Sequence, residues 1–341
     1  MLAYNCNKNF EMHILLPIVL SASLLFPSTT FAWDSVGHRL SAAIVVRFLS
    51  DGKREALIGI LRAHPRFEED FLNQIPDFVD QNNEMQLQTW MLGQAAYWPD
   101  IARGIPSSDR ARFNRPTWHY TDGVWVRGAA QTQGNSYVGV SPSDTIQGEA
   151  ASSIRSERQV HNVVTAIDYN TRLLTDSTQD LVDRAVALCW ILHLMGDIHQ
   201  PLHTGSLFSR VVLEDGDAGG NRISTNPYRN LHAAWDGALR DDGIDASLPL
   251  VLESVAGFTN SELQNAESDW TLWMAESREI LLSIVYTEEI KNAIRAADRE
   301  GKDLEDQSLS AEYVAGMKNV SRQRLGLAGL RMAMFFENEL N

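Results

Sequence analysis

The 341-residue chain predicts a mainly α fold, one helical domain with long loops and one short β-hairpin. Three observations predict it. Apolar residues recur at helical rather than alternating spacing along most of the chain. The 44% hydrophobic content supplies enough apolar surface for one large core or two modest ones. No internal repeat or strong linker divides the sequence.

The first residues stand apart. Lys8 precedes an apolar run from Ile14 to Phe26, followed by Pro27-Ser-Thr-Thr-Phe-Ala32 with small residues at Thr30 and Ala32. This is the pattern of a secretory signal peptide, residues 1–32, cleaved before Trp33. The run is shorter than the roughly 20 residues a spanning helix needs, which disfavours a membrane anchor. The mature chain would then run from Trp33 to Asn341 in the periplasm or outside the cell. Of the two cysteines, Cys6 leaves with the signal, so the exported chain has no internal disulfide. Cys189 falls on an apolar helix face and reads as packing. The formal net charge of −15 argues against sequence-independent duplex binding, which needs a basic footprint.

From Gly37 the chain is helical almost throughout. Leu40, Ala43, Ile44 and Phe48 form one stripe, and Ser50-Asp51 caps a second helix through Leu61. Further helical patterns cover about Glu68 to Val79, Glu84 to Trp98, Ser152 to Leu174, Leu181 to His199, Leu231 to Leu239, Ser268 to Tyr286 and Ala311 to Asn338. In the stretch from Leu181 to His199, Ser177/Thr178 offers a cap with Asp180 behind it, and Pro201 stops the helix because it has no amide proton. Two long interruptions remain, 104–149 and 204–230, and loops of that length in a compact helical domain are usually functional. The first contains a possible hairpin from Thr117 to Val126, and the second contains Gly219-Gly220-Asn221.

Potential metal ligands gather at the ends of these elements. His193-Leu-Met-Gly-Asp197-Ile-His-Gln-Pro-Leu-His203 places His193 and Asp197 on one helix face and turns His203 away after Pro201. The same spacing returns in His232-Ala-Ala-Trp-Asp236. His38 lies in Trp33-Asp-Ser-Val-Gly-His38, His119 in Trp118-His-Tyr-Thr-Asp122, and Asp100 ends Tyr97-Trp-Pro-Asp100 just after a helix. Imidazole and carboxylate without thiolate suit zinc, and open coordination suits a catalytic ion. Each motif alone fits a buried, hydrogen-bonded histidine as well.

Taken together, these residues resemble the zinc-dependent nucleases of the S1/P1 type, which cleave single-stranded nucleic acid and 3′-nucleotides. The resemblance covers nearly all of the mature chain, with each ligand position filled in order. It implies the helical trinuclear-zinc fold shared with zinc phospholipase C. It also implies three Zn2+ ions: one on the free amine and carbonyl of Trp33 with His38 and Asp197, a second on Asp100, His119, His193 and the other oxygen of Asp197, and a third on His203, His232 and Asp236. By the same comparison Arg103 matches a basic residue near the scissile phosphate. Tyr120 stands where the family often has phenylalanine to stack on a base, and Asp122, Gly220 and Asn221 fall at the base-binding loops. The implied reaction is hydrolysis of single-stranded DNA and RNA to 5′-phosphorylated products, with 3′-nucleotidase activity. The attacker is zinc-bound hydroxide, and the third zinc stabilises the leaving 3′ oxygen.

Elementary chemistry supports that scheme. Three divalent ions outweigh three aspartates, so an acidic protein can present a locally positive site to phosphate. A water shared by two zinc ions has its pKa lowered from about 15.7 toward 7. A zinc phospholipase C is the nearest alternative, but that family has a longer gap after its terminal tryptophan and ends its last pair with glutamate, where this chain has Asp236. A non-catalytic exported zinc-binding protein would need closed coordination and would not call for Arg103, Tyr120 and Asn221. Among the remaining histidines, His199 reads as a supporting or structural residue, His64 as a surface cap before Pro65, and His161 as solvated. Trp273, Met274 and Leu281 read as core.

Overall fold

The computed structural model describes residues 33–122, 125–127, 130–132, 134–141, 149–151, 157–258 and 269–340; the expected signal segment lies outside the described residues. The helices begin with α1 (Ser35–Phe48), α2 (Asp51–Leu61), α3 (Phe67–Asp70), α4 (Glu84–Ile101), α5 (Ser107–Phe113) and α6 (Val163–Thr175). They continue with α7 (Leu181–Asp197), α8 (Leu231–Asp236), α9 (Gly243–Val255), α10 (Trp270–Ile280), α11 (Glu288–Glu300) and α12 (Ala311–Glu339).

Helix α7 is the centre of the packing. Every residue from Ala187 to Asp197 is buried, as expected of a helix that is apolar on all faces. It packs on α4 and α6, while α1 packs on α4 and α12. The main apolar cluster joins Val45, Leu92, Ile167, Leu188, Ile191 and Phe336 from these elements. A second cluster surrounds Trp235 of α8 with Leu207, Ile223, Leu281, Tyr286 and Ile294, and a third joins Ile44 and Leu40 to Val251, Leu325 and Leu330. Among the described residues no helix is long and apolar enough to cross a membrane.

The strands are short: β1 (Trp125–Arg127), β2 (Ala130–Thr132), β3 (Ser136–Val138), β4 (Glu149–Ala151), β5 (Leu207–Ser209), β6 (Thr225–Asn226) and β7 (Gln307–Ser308). β1 pairs antiparallel with β2 and parallel with β4. β3 pairs parallel with β5, and β6 with β7.

Several boundaries differ from the sequence reading, each for a local reason. The hairpin sits later than Thr117 to Val126, because Pro116 opens a 3-10 turn through His119, its ring pre-setting the backbone of a first helical residue. The helix expected over Glu68 to Val79 breaks into α3 and a 3-10 turn, Leu72–Gln74. Ile75 is extended there because it precedes Pro76. α6 starts only at Val163, where Asn162 and Thr165 form a reciprocal capping box. The cap of α7 is Asp180 itself, whose carboxylate accepts from Val182 N–H at 2.8 Å. α4 runs through Pro99 to Ile101, so Asp100 lies in its last turn rather than beyond it. α5, α9 and α11 have no counterpart among the expected elements. The late helix ends as a π turn, Leu281–Val285. His64 is buried at the end of α2 against Phe71 and Trp98, not exposed as a cap.

Candidate metal centre

Four helices and two 3-10 turns deliver the ligand candidates. α1 carries His38, and its start is fixed by Asp34, whose carboxylate accepts from Val36 and Gly37 N–H at 3.0 and 3.1 Å. α4 carries Asp100, α7 carries His193 and Asp197, and α8 carries His232 and Asp236. The 3-10 turns Pro116–His119 and Pro201–His203 bring in His119 and His203. All eight are buried.

Their ligand atoms fall into three groups: His38, His193 and Asp197; Asp100, His119 and His193; and His203, His232 and Asp236, each within 4.8 Å of its group partners. Asp197 faces two ways. Its Oδ1 lies 3.5 Å from His38 Nε2, while its Oδ2 lies 3.1 Å from His119 Nδ1 and 3.2 Å from His193 Nε2. The His38 and His193 rings stack at 3.9 Å. In the other group His232 Nε2 lies 3.2 Å from both His203 Nε2 and Asp236 Oδ2.

Backbone carbonyls fix which nitrogen of three rings points inward. His193 Nδ1 donates to Ala96 O at 2.8 Å, His203 Nδ1 to His119 O at 2.6 Å, and His232 Nδ1 to Gly219 O at 2.6 Å. A carbonyl can only accept, so in each neutral ring the proton is on Nδ1 and Nε2 presents a lone pair. Burial pushes the pKa of His193 down to about 4 and those of His38, His119 and His203 well below the imidazole range. Burial pushes the carboxyl of Asp100 up to about 6, and those of Asp197 and Asp236 upward as well. The lone pairs of His193, His203 and His232 therefore converge on the carboxylate oxygens of Asp197 and Asp236. Both ring nitrogens of His38, His119 Nε2 and Asp197 Oδ1 are buried with no hydrogen-bond partner. A cation satisfies this arrangement, and oxygen and nitrogen donors without sulfur fit zinc.

The other candidate residues surround these groups. Trp33 is buried against α1, and its indole N–H donates to Gly196 O at 3.0 Å, beside Asp197. Arg103 Nη2 lies 2.9 Å from Asp100 Oδ1. Tyr120 follows His119 and is 38% exposed. Asp122 accepts from Ser206 Oγ at 2.9 Å. Asn221 Nδ2 donates to Ala218 O at 2.9 Å. Gly220 is buried, and its carbonyl accepts from Ile223 N–H.

Supporting groups also emerge that motif spacing does not reveal. Gln200 is fully buried, with Nε2 donating to Asp236 Oδ1 at 2.6 Å. Asp34 N–H donates to Asp236 O at 3.1 Å, joining the segment at Trp33 to α8. His199 is tied away from the ligand groups: Nδ1 donates to Met195 O at 2.7 Å and Nε2 accepts from Arg331 at 2.9 Å. Gln200 was open to sequence inspection as the polar residue beside Pro201; the carbonyl partners carried no side-chain signal.

This fold and site define a class: helical proteins that gather buried imidazoles and carboxylates into clusters able to hold several metal ions. A model of the S1/P1 nuclease family matches residues 33–341, and the chain belongs to that family, which is zinc-dependent in general. It is 29% identical over 177 residues to Endonuclease 5 of Arabidopsis thaliana, covering 49% of this chain and 56% of that one. Endonuclease 2 of the same plant is 30% identical over 181 residues, covering 49% of this chain and 57% of the other. The chain thus spans little more than half the length of these plant relatives. Nuclease S1 of Aspergillus oryzae is 23% identical over 333 residues, covering 95% of this chain and 96% of that protein.

Proposed function

We propose that the protein is an exported zinc-dependent endonuclease that hydrolyses single-stranded DNA and RNA to 5′-phosphorylated products and removes phosphate from 3′-nucleotides. Residues 33–341 act as one nuclease domain, and residues 1–32 as a cleaved signal that sends it to the periplasm or beyond the cell. The observation that carries this reading is the convergence of buried imidazoles on carboxylates in three groups, in a chain of the S1/P1 nuclease family.

Trp33, His38 and Asp197 Oδ1 would hold one zinc ion, Asp100, His119, His193 and Asp197 Oδ2 a second, and His203, His232 and Asp236 a third. When bound, the three ions supply positive charge for phosphate and bring the pKa of coordinated water toward about 7. The rest falls to side chains of this chain. Arg103 shares the carboxylate of Asp100 and directs its guanidinium charge to the phosphoryl oxygens as negative charge builds on them. Tyr120 offers a ring face to one base, while Asp122 and Asn221 read its edge. A base stacked on Tyr120 is not paired, so single strands are preferred and duplex must open first.

A short single-stranded oligonucleotide, assayed before and after chelation and again after zinc is restored, tests the proposal. Products carrying 5′-phosphate, loss of turnover on chelation and its return with zinc are expected; chelator-insensitive cleavage overturns it. Hydrolysis of phosphatidylcholine with no cleavage of oligonucleotides would establish the phospholipase alternative. A protein retaining methionine ahead of Trp33 should lose activity if the terminal amine is a ligand.

A further inference from the structure

The Gly219-Gly220-Asn221 loop lies against the third ligand group, and its shape is imposed from behind. Gly216, Ala218, Gly219 and Gly220 all have positive φ, at 78°, 53°, 60° and 83°. Ala218 is the non-glycine among them, and for a residue with a Cβ that conformation costs of order 1 kcal/mol. A Cβ on Gly219 would fall 2.4 Å from Leu202 O, so the chain passes there too closely for any side chain. Such a backbone persists only where its surroundings over-determine it.

Three buried side chains do this. Asp217 is fully buried within the loop. Its Oδ1 accepts from Leu207 N–H at 2.9 Å and its Oδ2 from the Tyr286 hydroxyl at 2.7 Å, while Asp217 N–H donates to Leu207 O at 2.9 Å. Tyr286 is itself fully buried at the end of the π turn, where its N–H donates to Leu281 O at 3.2 Å. A second tie comes from Ser206, whose Oγ accepts from Gly219 N–H at 3.1 Å and donates to Asp122 at 2.9 Å. What this frame holds in place is the Gly219 carbonyl, 2.6 Å from His232 Nδ1. That carbonyl keeps the proton on Nδ1 and aims Nε2 at His203 and Asp236.

We infer that Asp217, Tyr286 and Ser206 are positioning residues for the His203, His232 and Asp236 group, acting through the Gly219 carbonyl. The inference rests on that group holding a zinc ion. Removing a hydrogen bond that orients a ligating imidazole typically weakens the metal by about 10- to 100-fold. Tyr286→Phe removes one bond to Asp217 and keeps the ring in the core. Ser206→Ala removes the tie to Gly219 N–H and is a smaller change. The loss should fall on one ion alone, since the groups around Asp197 take no support from this loop.

The test is zinc retained by the exported form against rising chelator, with His232→Ala marking the equivalent that belongs to this group. In Tyr286→Phe and Ser206→Ala that equivalent should leave at roughly tenfold lower chelator, the others following the unaltered protein. Thr287→Ala removes the cap of α11 next door, where Thr287 accepts from Ile290 N–H, and should lower thermal stability while leaving zinc retention unchanged. If both variants keep the unaltered curve, or lose all their zinc together, the positioning role is wrong. If the unaltered protein holds no more zinc than His232→Ala, the group binds no zinc and the metal assignment fails with it.

Discussion

At the residue scale the centre turns on Asp197. Its two oxygens face imidazoles of two different ligand groups, His38 on one side and His119 with His193 on the other. Asparagine matches its shape, but it presents one oxygen and no charge. Asp197→Asn should therefore lower the zinc content by about two equivalents and nuclease activity by roughly 100-fold or more. Metal analysis of the purified variant checks this, and full zinc content would show that Asp197 does not bridge. The pairs His193 with Asp197 and His232 with Asp236 were legible in the sequence, because that spacing leaves two side chains on one helix face. The groups that orient them were not. Ala96, His119 and Gly219 act through carbonyl oxygens, which every residue has, and only the folded chain selects these three.

At the scale of elements, legibility followed how far packing could override local pattern. α1, α2, α4, α7 and α12 announce themselves by continuous apolar spacing. α11 has an equally plain stripe, with Ile290, Ile294 and Ala297 buried behind the Thr287 cap, yet it is missing from the helices expected from the sequence. The fragmented stretch after α2 is different, because it folds back on the core to bury His64. There His64 lies 4.3 Å from the Trp98 ring and 5.1 Å from Phe71, joining the end of α2 to α4. Burial holds the His64 pKa down at about 3 against 6.5 for a free imidazole, with the nearby Asp70 only partly opposing. The folded state thus binds this proton more weakly than the unfolded state. Its contribution to stability is whole above pH 6.5 and is lost as pH falls toward the folded value, by about 1.4 kcal/mol per pH unit across that window. At pH 5 the loss amounts to about 2 kcal/mol. His64→Phe keeps an aromatic ring in this packing and removes the proton site. Urea denaturation from pH 7.5 to pH 5 should show the variant losing about 2 kcal/mol less than the unaltered protein. Equal losses would mean that His64 is hydrated or protonated in the fold.

For the whole molecule, the same convergence that suits a metal site is a liability without ions. α1, α4, α7, α8 and the two 3-10 turns meet at buried imidazoles and carboxylates, several of whose atoms have no hydrogen-bond partner, and leaving such groups unmatched costs roughly 1–3 kcal/mol each. Among the described residues Cys189 is free and no disulfide offsets this, so bound ions would join elements that the apolar clusters hold less directly. α8 is the clearest case. It belongs to the second apolar cluster, and it reaches α1 through Asp34 N–H on Asp236 O and through its own ligands. Binding to the folded state alone stabilises it by about 4 kcal/mol for each site filled at a thousand times its dissociation constant. In a domain of this size, 1 kcal/mol moves the melting temperature by about 2 °C. Chelation of the purified protein should therefore lower that temperature by roughly 10 °C or more, and added zinc should restore it. Calcium should not restore it, since that ion takes six to eight oxygen ligands and the clusters offer mostly nitrogen. Calorimetry with and without chelator measures the shift. An unchanged melting temperature would mean that the clusters bind no metal tightly and that apolar packing alone holds the site together.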